Sequence, residues 1–245
     1  MKNNIEELKK YFKTIRDNNQ NSLREGNTGI GYTFETLINK KEDNLPLPDF
    51  NGIEIKTKLG YSKSPLTLFS LTPKKENDRA IKYIIETFGY LDKDNYKTFK
   101  TDIYVDKNKI ISNKYIFKLK IDKEKNLLKL LISDINLNLI NDNIYWDLDD
   151  IKNRLETKFK YLAYIIGYPY KRYNRTYYKY NNLKIYKLKS FNNFIELLEK
   201  QKIYITVNIE YFKKGKRTGE IHDRGTAFRL STENIKDLFD LIDKI

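Results

Sequence analysis

The chain has 245 residues, with 47 lysines and arginines against 33 acidic residues and a formal net charge of +14. It contains no cysteine, which excludes disulfides, thiolate metal sites and cysteine nucleophiles and leaves oxygen ligands or the one histidine, a set that suits Mg²⁺ better than Zn²⁺. The length allows a full core in one large domain or two closely joined lobes, and no stretch approaches the roughly 20 apolar residues of a membrane span, so we expect a soluble, cytoplasmic protein with no membrane partner.

The positive charge favours a polyanionic partner such as DNA or RNA. Lysine, asparagine, isoleucine and tyrosine are all abundant, however, and only nine of the basic residues are arginine. A coding sequence rich in A and T would produce the same composition. The charge alone therefore leaves nucleic-acid binding and compositional bias as alternatives.

The first third of the chain predicts two helices and a strand. Apolar residues at helical spacing predict an amphipathic helix over residues 4–17. A polar loop leads to a second helix, which Thr28 is placed to cap and whose buried stripe reaches Ile38. Prolines in residues 45–48 break the chain before a strand with period-two alternation that begins at Ile53.

The remaining patterns alternate between strand and helix, which predicts an α/β or α+β fold with a mixed sheet. The predicted elements are a strand at 66–69, a helix at 80–88, a hairpin at 115–121 and 127–132, a helix at 149–159, a strand at 161–166, a helix at 191–200, a strand at 203–211 and a closing helix at 235–242. The basic, tyrosine-rich segment at 168–180 suits contact with a nucleic-acid backbone or with bases. Tyrosine is abundant throughout, so we predict a solvated loop there, with lysines and arginines that contact phosphates.

One segment carries a chemical pattern, because Asp49 is followed after four residues by Glu54 and Lys56 on one face of the predicted strand. Asp49 and Glu54 supply hard oxygen ligands for Mg²⁺, joined by the carbonyl of Ile55. Lys56 is placed to orient an attacking water, lower its pKa or stabilise a phosphoryl transition state. The pattern indicates metal-assisted phosphodiester hydrolysis, and an ordinary exposed ion pair is the alternative.

The order of several blocks resembles the MvaI/BcnI family of type II restriction endonucleases, which is related to the mismatch-repair nicking enzyme MutH. The similar blocks are residues 24–35, 43–45, 48–50, 53–57, 66–69, 144–146, 160–163 and 216–230, with a weaker middle between about 74 and 143. The resemblance implies a restriction-endonuclease-like mixed central sheet flanked by helices, with two lobes around a DNA cleft. Residues 1–75 would then carry the core of the catalytic lobe, and residues 160–245 would contribute the recognition lobe.

The resemblance also implies roles for the first motif. Asp49, Glu54 and Lys56 match the catalytic set of the family. Glu35, in the predicted second helix, matches an auxiliary glutamate that positions Lys56 or a metal-bound water. An ordinary charge at a helix edge is the alternative for Glu35.

A second segment, residues 215–229, gathers three glycines, three arginines and the only histidine. Such donors suit readout of the major groove, where arginine pairs with guanine and aspartate accepts from cytosine. A basic hairpin that contacts phosphates without sequence preference is the alternative. The resemblance implies base recognition, and the matching residues are His222, Asp223, Arg224, Thr226, Ala227, Arg229 and, from the earlier strand, Ser70.

The family cuts CCWGG or CCSGG sites, and the CCSGG branch has histidines at the positions of Ser70 and Ala227. Their absence favours CCWGG, although Arg224 departs from the usual histidine of that branch. The resemblance therefore implies a Mg²⁺-dependent endonuclease that acts as a monomer on double-stranded DNA and nicks each strand in turn, with a cognate methyltransferase as its functional partner. The alternatives are a MutH-like nicking enzyme and a non-catalytic basic DNA-binding protein.

Overall fold

The computed structural model describes residues 1–40, 47–76 and 78–245, so residues 45 and 46 of the predicted break lie outside the described part of the chain. The helices are α1 (Lys2–Arg16), α2 (Gly29–Leu37), α3 (Ala80–Phe88), α4 (Leu148–Phe159), α5 (Phe191–Glu199) and α6 (Ile235–Leu238), with a 3₁₀ turn at Thr232–Asn234. The strands are β1 (Gln20–Asn21), β2 (Glu54–Leu59), β3 (Leu66–Ser70), β4 (Lys74–Lys75), β5 (Tyr90–Leu91), β6 (Lys97–Ile103), β7 (Lys109–Ile111), β8 (Tyr115–Asp122), β9 (Leu127–Asp134), β10 (Leu139–Asp147), β11 (Tyr161–Arg172), β12 (Arg175–Leu188), β13 (Ile203–Tyr211), β14 (Ile221–Asp223), β15 (Ala227–Leu230) and β16 (Phe239–Lys244).

The chain forms two compact units, and each is assembled from segments that are distant in sequence. The first unit contains Met1–Ser64, Arg154–Phe191 and Ile235–Ile245, and the second contains Pro65–Asn153 and Asn192–Asn234. No helix in the described ranges is both long and apolar enough to cross a membrane.

The first unit is built on a mixed sheet with the order β1-β12-β11-β2, and β16 also pairs with β12. β2 runs parallel to β11, with Glu54 opposite Leu162 and Leu59 opposite Gly167, while the other pairs are antiparallel. Leu8 and Phe12 of α1 and Phe34 of α2 pack in one buried cluster with the sheet. Burial of these large side chains stabilises the unit and holds β2 in place.

The second unit contains a sheet of order β3-β15-β13-β6-β5, with β14 beside β13, and a sheet of order β4-β10-β9-β8-β7. The inward side chains of the first of these sheets include Phe99, Ile205 and Phe228, all fully buried. Trp146 of β10 is also buried, and its indole N–H donates to the Leu71 carbonyl at 2.8 Å. The mixed α+β fold predicted from the sequence is confirmed.

Two local predictions are wrong. The closing helix stops at Leu238 as α6, and Phe239–Lys244 forms β16, because these residues pair with β12 and Phe239 buries its ring against Phe159 and Tyr186. The segment at 168–180 is not a loop. It forms the outer part of the β11–β12 hairpin, which turns at Tyr173 and Asn174 with positive φ at both residues. Thr28 occupies the N-cap of α2 as predicted, but its side chain makes no capping hydrogen bond.

Candidate active site

β2 places a charged pair in a buried setting. Glu54 and Lys56 lie on one face of the strand by alternation, while Ile55 and Leu59 face the core under α2. The Glu54 side chain is 0% exposed, and its Oε1 accepts a hydrogen bond from Lys56 Nζ at 2.5 Å. The Lys56 ammonium also lies 5.8 Å from the centre of the Phe159 ring. The exposed ion pair considered as the alternative is therefore not what the structure contains.

A second lysine reaches the same carboxylate. Lys158, near the end of α4, places its Nζ 3.3 Å from Glu54 Oε1. Burial raises the pKa of Glu54 and the nearby Asp49 acts in the same direction, while Lys56 and Lys158 oppose the rise. Glu54 Oε2 is buried and has no hydrogen-bond partner among the described residues. A buried carboxylate oxygen without a partner is costly, and a bound cation removes that cost.

A tight turn brings Asp49 back to the strand. Phe50 and Ile53 exchange both backbone hydrogen bonds, at 2.9 and 2.8 Å, around Asn51 and Gly52. Gly52 has φ +88°, a conformation that favours glycine. The turn lets Asp49 Oδ2 accept a hydrogen bond from the Ile55 N–H at 3.0 Å, so Asp49 lies beside the residue that follows Glu54.

These oxygens fit a divalent cation held by few protein ligands. No group of three or more acidic or histidine side chains suited to a metal occurs in the described ranges. The available donors are the carboxylates of Asp49 and Glu54 and the backbone carbonyl of Ile55. Mg²⁺ characteristically binds one or two carboxylates and completes its shell with water and substrate oxygens. The unpartnered Glu54 Oε2 is the atom that most needs such an ion.

Glu35 lies on α2, half-buried and near Thr57. A Cβ built on Gly31 would stand 3.1 Å from Thr57 Oγ1 and 3.8 Å from Glu35 Oε1, which locates the carboxylate beside that strand residue. Because side chains alternate along a strand, Thr57 lies on the other face of β2 from Lys56. Glu35 also adds to the rise in the pKa of the Tyr180 hydroxyl, which is mainly due to burial. Its role as an auxiliary residue stays a prediction.

The second predicted constellation lies in the second unit, largely on one polar face of the β3-β15-β13-β6 sheet. Strand pairing sets His222 beside Glu210, Arg229 between Tyr204 and Thr67, and Ala227 opposite Ser70. Residues directly opposite each other share a face of a sheet. His222, Arg229, Ala227 and Ser70 therefore share one face of the sheet, whereas Asp223, at the end of β14, is opposite Ile209 and alternates to the other face.

A stack of side chains holds His222. Its imidazole lies parallel to the Phe212 ring, with centres 4.1 Å apart and planes within 7°. Arg217 covers the other side of Phe212 at 4.4 Å and is itself paired with Glu220 at 2.7 Å. His222 Nδ1 is buried and has no hydrogen-bond partner among the described residues.

The neighbouring recognition residues are held by short-range hydrogen bonds. Asp223 Oδ1 accepts from the Gly225 N–H at 2.8 Å, and the buried Thr226 hydroxyl donates to Asp223 Oδ2 at 3.4 Å. Arg224 Nε donates to Glu210 at 2.5 Å. Arg229 donates to the Thr67 hydroxyl at 2.9 Å. Thr226 is thus placed to support Asp223.

Comparison with known proteins identifies the family. The family described as "MvaI/BcnI restriction endonuclease family" matches residues 8–239. The chain belongs to this family. Among solved structures, it is similar to restriction endonuclease MvaI in complex with cognate DNA substrate, at 32% identity over 96% of both chains and a TM-score of 0.85. It is also similar to MvaI in the absence of DNA, at 31% identity over 99% of this chain and 98% of that one, with a TM-score of 0.63. No curated protein matches the sequence significantly.

Membership of the MvaI/BcnI family confirms the resemblance found in the sequence and makes the chain a nuclease of the restriction class. Sequence reasoning missed two features of this family member. Lys158 gave no local signal, since it lies far along the chain from Glu54. The polar alternation of β6 was also overlooked, although it places Asp102 opposite Thr206, with a hydrogen bond of 2.6 Å, and stacks Tyr104 on Tyr204 at 4.9 Å.

Proposed function

We propose that this chain is a Mg²⁺-dependent type II restriction endonuclease that hydrolyses double-stranded DNA at a CCNGG-type site, with CCWGG favoured. The observation that carries the proposal is the buried Glu54, which contacts two lysines through one oxygen and whose other oxygen has no partner in the part of the chain that the structure describes. Burying a carboxylate in this way lowers the stability of the fold. A metal ion and a phosphodiester bound at the site would offset that loss of stability.

Asp49, Glu54 and the Ile55 carbonyl would hold Mg²⁺, which supplies a Lewis acid for the phosphoryl oxygens and lowers the pKa of water when it is bound. Lys56 has its ammonium fixed by Glu54, and we assign it to orient the attacking water and to stabilise negative charge that develops at the phosphorus. Lys158 adds a second positive charge beside the same carboxylate. Glu35 is proposed as an auxiliary residue that positions Lys56 or a metal-bound water.

Double-stranded DNA is the proposed partner, supported by the similarity to MvaI in its complex with cognate DNA. We assign base recognition to His222, Asp223, Arg224 and Arg229, with Thr226 as a supporting residue. Asp223 and Arg229 suit acceptance from cytosine and donation to guanine. Ser70 and Ala227 face each other without the two histidines of the CCSGG branch, and this absence supports CCWGG. A monomer that nicks each strand in turn, in a host with a protecting methyltransferase, completes the proposal.

The test is digestion of plasmid DNA with Mg²⁺, followed by sequencing of the ends. Lys56→Ala should lower the cleavage rate by about 100-fold or more, because the group acts in the transition state. Lys120→Ala, an exposed lysine on β8, is the matched control and should cleave normally. Retained activity in Lys56→Ala would overturn the assignment, and CCSGG-only ends would overturn the specificity.

The same digestion separates the alternatives. A MutH-like nicking role predicts ends on one strand only. A non-catalytic DNA-binding protein predicts no Mg²⁺-dependent ends at all and no effect of Glu54→Ala on function.

A further inference from the structure

Positive charge is concentrated in one stretch of the first unit. Residues 157–191 contain nine lysines and arginines and no acidic residue. The charge of the whole chain is +14, so this stretch accounts for most of the excess. A compositional bias towards lysine alone does not explain it, because the stretch also lacks the aspartates and glutamates that are common elsewhere.

The outer part of this stretch borders a groove. The groove has a volume of about 930 Å³ and lies between the loop at residues 21–27, the hairpin at 169–178 and the end of β2. Three cations line it, Arg24, Lys171 and Arg175, against the single carboxylate of Glu25. The other lining side chains are mostly amides and hydroxyls, which donate hydrogen bonds to phosphate oxygens.

The walls of the groove are fixed before any ligand binds. The loop is tied to the hairpin by β1–β12 pairing and by the Ser22 N–H, which donates to the Thr176 carbonyl at 2.8 Å. The Arg24 guanidinium lies 3.8 Å from the centre of the Tyr32 ring. A preformed cationic groove loses little entropy on binding.

The groove also has a defined place relative to the candidate active site. Leu59, which lines it, is the last residue of β2, and Glu54 is the first. Five residues of strand span about 16 Å. One strand of duplex DNA carries a phosphate about every 3.4 Å along its axis, so this distance corresponds to about five nucleotides.

We propose that this groove binds the phosphodiester backbone of duplex DNA outside the five-base-pair recognition site. This proposal rests on the proposed function, because the distance to the recognition site is measured from the proposed cleavage site. The charge and shape of the groove do not depend on that function. The three cations of the groove match the charge of backbone phosphates, and Tyr170 already stacks on Tyr177, with centres 5.5 Å apart. The ligand is therefore the backbone of a duplex.

The experiment compares wild type with the double variant Lys171→Ala, Arg175→Ala. Binding is measured with Ca²⁺ in place of Mg²⁺, on a duplex of about 9 base pairs that holds only the site and on one of about 30 base pairs. Wild type should bind the longer duplex more tightly. The double variant should bind the longer duplex more weakly than wild type at 50 mM salt. Its affinity should then fall about tenfold less than that of wild type between 50 and 200 mM salt, because the slope of log K against log salt becomes shallower by about 1.8 when two phosphate contacts are lost.

The matched control is Lys184→Ala, Lys187→Ala, which removes the same charge from the inner end of β12. This control should keep the wild-type slope and the preference for the longer duplex. Thermal unfolding of both variants shows whether the fold is kept.

An unchanged slope in Lys171→Ala, Arg175→Ala would overturn the proposal, as would an equal loss in the control. A loss seen with single-stranded DNA and not with duplex would also overturn it. If wild type never cleaves DNA, the proposed function fails, and the salt dependence on duplex still decides whether the groove binds a backbone.

Discussion

Glu54 affects both the stability of the fold and the proposed cleavage reaction. Its carboxylate is buried, and both lysine contacts fall on Oε1. Removing one partner of a buried ion pair usually costs more than the pair contributes, because the remaining charge is left uncompensated. The two lysines therefore differ from exposed pairs such as Lys123 and Glu199.

We predict that Lys158→Met lowers the cleavage rate by roughly 10-fold to 100-fold, because second contacts to metal-binding side chains typically have effects of this size. Lys158→Arg should retain more activity, since it keeps the positive charge. The measurement is the single-turnover rate on a cognate duplex over a series of Mg²⁺ concentrations. Wild-type rates for Lys158→Met at every concentration would contradict the role.

Glu54→Gln is expected to abolish cleavage while stabilising the fold by about 0.5–2 kcal/mol at neutral pH, because it removes the fully buried charge and leaves two lysines that are partly exposed to water. Burial raises the pKa of Glu54 in the native state, so the native state binds a proton more readily than the unfolded chain does. The resulting stability is fully present below the unfolded-state pKa and is lost as pH rises through the native one. The free energy of unfolding, measured with denaturant from acidic to neutral pH, should decrease in wild type and decrease less in Glu54→Gln. If Glu54→Gln is less stable than wild type at neutral pH, the prediction is refuted.

Phe212→Leu should weaken sequence discrimination, because the ring that fixes the His222 imidazole is lost. The expected loss at the cognate site is about 1–3 kcal/mol, the usual worth of one base contact, with little change in binding to unrelated DNA. Phe212→Tyr keeps the stack and serves as the control. Competition binding between cognate and unrelated duplexes measures the effect, and equal losses on both would argue against a positioning role.

At the scale of elements, the local sequence was enough to predict a helix or a strand wherever regularly spaced apolar residues pack against one buried surface. The first helix, β2 and the β8–β9 hairpin follow directly from such runs. The prediction of a closing helix failed because Ile235, Leu238 and Phe239 have helical spacing, and pairing with β12 overrides that pattern from Phe239 onward. Pairing of this kind is not visible in local sequence.

The same limit applies to the candidate site. Asp49, Glu54 and Lys56 lie within one short segment, so their proximity could be predicted from spacing. Lys158 reaches Glu54 only because α4 leads directly into β11 and β11 pairs in parallel with β2. That contact is a property of the sheet and not of the motif.

The hairpin turn offers a prediction about stability. Tyr173 has φ +48° and Asn174 φ +59°, the conformations of a two-residue turn that favours Asn-Gly, and tyrosine is poorly suited to the first position. The exchange Tyr173→Asn, Asn174→Gly should stabilise the protein by about 0.5–1 kcal/mol. Tyr173 is 85% exposed, so little packing is lost. Chemical denaturation would reveal the gain, and a lower midpoint would contradict it.

At the scale of the whole molecule, the first unit combines chain segments that are far apart in the sequence, Met1–Ser64, Arg154–Phe191 and Ile235–Ile245. Removing residues 239–245 should destabilise the first unit by more than about 3 kcal/mol, because it takes away the buried Phe239 ring, a strand of the sheet and the 2.8 Å contact of Lys9 with Asp243. The control is Leu241→Ala, an exposed position on β16, which should be nearly neutral. Thermal unfolding measures both, and near-wild-type stability of the truncation would show that β16 is dispensable.

The late position of β16 bears on how the protein is made. A ribosome adds Asp49, Glu54 and Lys56 early, yet Lys158 and the partner strand β11 follow some hundred residues later, and β16 later still. Domains generally fold as units during synthesis. The emerging polypeptide therefore carries Asp49, Glu54 and Lys56 without the sheet that orients them, and we expect a nascent chain to have no nuclease activity until β11, β12 and β16 have all been synthesised.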